Sequence, residues 1–156
     1  ILMSGCASGI SADQLKIETY QTMYTDILNA TGFKSASDYF AVNAVLSDLG
    51  SGSYRYDVIV DEAKVAMYDV DILLIQDDGS LVISDTMMPS LGIFEDKTYY
   101  MIPFQVNTEA NVVQGIDLNG LSSTLPIRLK MVVQWKDANN AVFKEYFQFE
   151  LTVPAQ

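Results

Sequence analysis

Ile127-Arg128-Leu129-Lys130-Met131-Val132-Val133-Gln134-Trp135-Lys136 is the stretch that decides the fold class. Ile127, Leu129, Met131, Val133 and Trp135 fall on every second position, with Arg128, Lys130, Gln134 and Lys136 between them. A period of two is that of a β-strand, whose successive side chains leave on opposite faces of the sheet. Asp137-Ala138-Asn139-Asn140 follows with turn chemistry, and Phe147, Phe149, Leu151 and Val153 then line one side of a further strand. Two strands joined by such a turn predict a hairpin.

Working back from this hairpin, the same period recurs. Tyr100, Ile102, Phe104 and Val106 share one face of an expected strand. Asp77-Asp78-Gly79-Ser80 reads as a turn, a long run from Lys64 to Gln76 as a strand, and Asp61-Glu62-Ala63 as the turn before it. Tyr54, Tyr56, Val58 and Val60 alternate with Arg55, Asp57 and Asp61. Six to eight short strands in about a hundred residues predict an antiparallel sandwich, and the pattern is similar to immunoglobulin-like or fibronectin-like domains. The resemblance is architectural. The cysteine pair and central tryptophan of antibody domains are missing, since Trp135 lies in a late strand. A jelly roll is the alternative arrangement.

Before Gly50 the period changes. Ser11 and Gln14 fit a capping box, Ile10 and Leu15 a hydrophobic staple, and Ile17, Tyr20, Met23, Tyr24, Ile27 and Leu28 recur at three and four residue steps toward Gly32. Ser35 with Asp38 reads as a second helix start, followed by Tyr39, Val42, Val45, Leu46 and Leu49 and stopped by Gly50. The fold class expected is therefore α+β, mostly β: an N-terminal helical hairpin over 11–50, a flexible junction at Gly50-Ser51-Gly52-Ser53, and an antiparallel immunoglobulin-like β-sandwich over 51–156.

Composition narrows the function. Twenty acidic against nine basic residues give a net charge of -11, which repels phosphate backbones and makes nucleic acid an unsuitable partner. The chain has no histidine, so the commonest general base and transition-metal ligand are missing. Carboxylates at Asp57, Asp61, Glu62, Asp69 and Asp71 are numerous, but Asp69 and Asp71 are expected on the solvated side of a strand whose other side is Val70, Ile72 and Leu74. Asp77, Asp78 and Gly79 offer oxygen ligands without the spacing of an EF-hand loop, and the turn itself accounts for them. The expectation is a protein that is not an enzyme, with no catalytic residues, no metal and no cofactor.

The chain opens Ile1-Leu2-Met3-Ser4-Gly5-Cys6-Ala7, and Met3-Ser4-Gly5-Cys6 resembles the lipobox of bacterial lipoproteins. The resemblance implies that 1–10 is a signal remnant and lipidated tether, that Cys6 carries lipid, and that the protein is extracytoplasmic and anchored to the cell envelope. In Gram-negative families with this signal, Ala7 after the cysteine implies the outer membrane. A diacylglyceryl cysteine buries two chains at ~0.8 kcal/mol per methylene, enough to hold an acidic protein at a membrane. Met87, Met88, Leu91 and Phe94 lie in an apolar connection containing Pro89 and Gly92, a candidate partner-contact loop. The functional expectation is a lipid-anchored binding module that recognises a protein or surface polymer non-covalently. The alternative is a structural subunit of a surface fibre or secretion assembly, in which copies self-associate.

Overall fold

A computed structural model of the chain describes residues 11–77, 87–152 and 154. Helix α1, Ala12–Asn29, is followed by strands β1 (Phe33–Lys34), β2 (Ala41–Gly50), β3 (Ser53–Asp61), β4 (Tyr68–Gln76), β5 (Ser90–Leu91), β6 (Gly115–Ser122), β7 (Ile127–Lys136) and β8 (Val142–Leu151). The fold is α+β and mostly β. Five strands form one sheet in the order β1-β8-β7-β4-β5, and three form another in the order β2-β3-β6. All pairings but the short parallel one between β1 and β8 are antiparallel.

The two sheets share one core. Leu46, Tyr56, Val58, Val60, Ile116 and Leu118 from the small sheet meet Val70, Ile72, Leu74, Met131, Val133, Trp135 and Phe147 from the large one. The alternation in β7 places Ile127, Leu129, Met131, Val133 and Trp135 inward as expected, and the β7–β8 hairpin turns at Asp137, whose carboxylate accepts from the amides of Asn139 and Ala141. Trp135 stacks on Phe143 at 5.5 Å between ring centroids and meets Phe40 edge-on. Burying such aromatic surface is the main favourable term of folding.

Helix α1 makes a third layer on the outer face of the large sheet. Ser11 caps it by accepting from the Gln14 amide at 3.1 Å, and the helix ends at Asn29, just before Gly32. Tyr20, Met23, Tyr24 and Ile27 cover Leu73, Ile75 and Val132, which point away from the main core. Lys16–Asp96 and Lys144–Asp26 ion pairs tie its flanks down. Leu15 and Ile17, expected on the buried stripe or its staple, are exposed.

Three expectations are corrected. The second helix of the hairpin does not form, because 41–50 is strand β2. Phe40, Val42, Ala44 and Leu46 alternate toward the core, whereas Val45 and Leu49 lie off that face and completed a helical spacing by coincidence. The small sheet therefore begins at β2, before position 51, and Gly50-Ser51-Gly52 is the positive-φ turn of the β2–β3 hairpin. Second, Tyr100 to Val106 is no strand: only Tyr100 and Met101 make isolated bridges, and Pro103 interrupts the rest. Third, Asp71 does not stand on a solvated side, whereas Asp69 keeps its side chain partly exposed beside Lys136. The outer face of β4 is covered by α1 and by the loop through Gly92, and Asp71 is half-buried there. Cys6, Asp78 and Gly79 lie outside the described residues.

Candidate binding groove

At one end of the small sheet, β3 finishes at Asp61, which pairs with Gly115 at the start of β6. Glu62 then turns the chain at φ 50°, Ala63 packs against the core, and the Lys64 amide donates to Tyr39 O at 2.8 Å. Met67 and Met101 exchange two backbone hydrogen bonds, which hold the segment after Met101 alongside. Between these walls and Val113-Gln114 lies a groove of about 730 Å³. Ala63, Ile102, Pro103, Phe104 and Val113 supply its apolar surface, and Asp61, Glu62, Lys64 and Gln114 its polar groups. A mostly apolar concavity with a few polar groups is the usual form of a recognition site.

Phe104 sets this groove apart. Gln105 N donates to Ile102 O at 3.1 Å, closing a turn with Pro103 second and Phe104 third. Phe104 has φ 63°, and this third position of a proline turn is where glycine is usual when φ is positive. Its side chain is 102% exposed, so the ring gains nothing from the protein's own packing. A bulky residue held in the left-handed region costs about 1–2 kcal/mol, and nothing inside the fold offsets it. Asp61 lines the same groove, and its Oδ1 is buried without a hydrogen-bond partner. Such a group costs free energy until a donor reaches it. An exposed aromatic ring without packing of its own is a surface that a ligand can cover.

The rest of the loop is well tied. Asn107 accepts from Ala110 N through its side chain and from Val112 N through its backbone, and Tyr100 and Val113 bond across it. Rigid walls suit recognition, since little is lost in ordering them on binding.

A smaller recess of about 290 Å³ lies near Asp69, Asp71, Lys97 and Lys136. Asp69 bulges β4 at φ 50° and pairs with Lys136 at 3.2 Å. Asp71 lies against Gly92, where an added Cβ would sit 2.2 Å from its Oδ1. Burial first, then the charges of Asp69 and Glu95, push the Asp71 carboxyl up to about 6, against the opposing pull of Lys136. The recess can exchange a proton near pH 6. Among the described residues no group of three or more acidic or thiol side chains is placed to hold a metal ion.

The apolar connection read from the sequence is divided by the fold. The Met88 amide donates to the Tyr20 hydroxyl at 3.0 Å, and both Met88 and Phe94 pack against α1. Leu91 packs on the main core, and Met87 alone of the four is exposed. Phe104 and Gln114 were not singled out by their sequence as a site, and Asp61 only as one of several carboxylates. The available signal was the Pro103-Phe104 pair, a turn lacking its glycine.

No family model and no curated protein matches the chain. A crystal structure of a protein provisionally named ApaA, from Bordetella pertussis, is similar over 80% of this chain and 100% of its own length, at 12% identity and a TM-score of 0.42. A likeness that loose carries no argument about function.

Proposed function

We propose that this chain is a lipid-anchored binding module of the cell envelope, tethered through Cys6, which recognises a protein or surface polymer non-covalently through the groove beside Phe104. The observation that carries the reading is Phe104 itself: strained, exposed and lining a groove with apolar walls. The lipobox-like Met3-Ser4-Gly5-Cys6 supports the tether, and among the described residues no helix is long and apolar enough to cross a membrane. The absence of histidine from the sequence favours binding over catalysis. The strand orders β2-β3-β6 and β5-β4-β7-β8 support a fibronectin-like reading of the sandwich, a scaffold that presents loops at its ends.

Two measurements test the proposal. Expressed as a precursor in a bacterium, the wild type is expected to gain lipid mass and fractionate with membranes, while Cys6→Ser stays soluble. Purified chain is expected to bind isolated envelope protein or polymer saturably, with Phe104→Ala losing that binding at an unchanged melting temperature. Equal fractionation of wild type and Cys6→Ser would overturn the tether. Turnover of a glycan or peptide that vanishes on replacing one carboxylate would overturn the binding reading, and self-crosslinked ladders would replace it with the fibre subunit.

A further inference from the structure

Among the described residues no strand pairs with the outer edge of β6. An edge strand presents alternate amides and carbonyls to whatever lies beside it. It is not the one open edge among the described residues: β1 lies beside only Tyr146 and Phe147 of β8, and β2 has no strand on its far side. β6 has eight residues and carries neither the lysine nor the proline that blunts an exposed edge. None of the described loops gives it a backbone hydrogen bond.

The side chains along this edge specify what fits. Ile116, Leu118 and Gly120 point inward, while Asp117, Asn119 and Leu121 point outward and are exposed. Burial first, then the neighbouring Asp57 of β3, raises the Asp117 carboxyl above the ordinary value, against Arg55. The Arg55 guanidinium pairs with Asp57 at 3.0 Å, and Asp117 keeps its carboxylate exposed on the same face. At a net charge of -11, a second copy of the chain repels the first, whereas a basic segment is attracted.

We propose that the free edge of β6 accepts an extended segment of a protein partner as a fourth strand of the small sheet, with lysine or arginine beside Asp117 and an apolar residue beside Leu121. The proposal rests on the binding-module reading, and Gly115 opens β6 directly after the groove residues Val113 and Gln114, so the added strand runs on from the groove. Main-chain hydrogen bonds supply the attachment and alternate side chains the selectivity.

The test uses the full 156-residue chain and three synthetic octapeptides: alternating lysine and valine, alternating glutamate and valine, and the lysine–valine peptide with every amide N-methylated. Calorimetry gives affinity, and amide exchange followed by NMR gives the place of binding. The lysine–valine peptide is expected to bind saturably and to slow exchange within Gly115–Ser122. The glutamate and N-methylated peptides are expected not to bind, and Asp117→Lys on the exposed face is expected to weaken binding about tenfold. Absence of saturable binding, equal binding of the N-methylated peptide, or protection confined to β2 would overturn strand addition. Binding lost in Phe104→Ala but unchanged in Asp117→Lys would assign the peptide to the groove, overturning the edge proposal while leaving the binding module intact.

Discussion

Phe104 and Asp71 each hold an arrangement that folding alone does not reward, and each predicts a separable result. Phe104→Asn puts in place a residue that tolerates positive φ, so the unfolding free energy is expected to rise by about 0.5–1 kcal/mol in urea titrations while partner binding falls. A fall in stability of more than about 1 kcal/mol would mean that the ring packs on the protein after all. Asp71 carries the opposite kind of strain. Its folded carboxyl titrates near 6, above its unfolded value of 3.8, so the folded state holds the proton more tightly. Its contribution is harmless below pH 4 and becomes destabilising as pH rises through the window from about 4 to 6. Asp71→Asn is therefore expected to raise the melting temperature at pH 8 and to leave it nearly unchanged at pH 4. Parallel melting curves for the two proteins across that range would remove the assigned cause.

Elements were legible where one face alone is apolar and illegible where both are. β7 has an outer row that is polar except for Val132, β8 has a mostly polar one, and both announced themselves, as did the capped helix α1. β2 carries apolar residues on both faces, with Ala44 too small to mark the core row, so Val45 and Leu49 gave a false helical spacing. β4 is covered twice, by the small sheet and by α1, and its run from Ile72 to Ile75 lost all alternation. Of the candidate site, the composition pointed to binding, but a groove assembled from three separated segments has no local period to read. The helix layer can be checked directly. Ile27 is fully buried between α1 and the sheet, so Ile27→Ala is expected to lower the unfolding free energy by about 2–5 kcal/mol. Ile17→Ala, on the exposed side of the same helix, is expected to change it by less than about 0.5 kcal/mol. Similar losses at both positions would contradict the docking face.

At the scale of the molecule the charge governs encounter, and the fold governs what happens after it. A surface at -11 with acidic groups at both the groove and the β6 edge draws cations from several directions, and such steering acts on the association rate. The hydrogen bonds and apolar contacts of a docked segment hold it afterwards, and they lie inside the screening distance of salt. For the lysine–valine octapeptide the association rate is thus expected to fall about tenfold between roughly 0.02 and 0.5 M salt, with the dissociation rate changing about twofold or less. Stopped-flow measurement of both rates separates the two contributions. A salt dependence carried mainly by dissociation would mean that the bound complex is held by exposed ion pairs alone, and neither the ring of Phe104 nor the backbone of β6 would then be the source of its attachment.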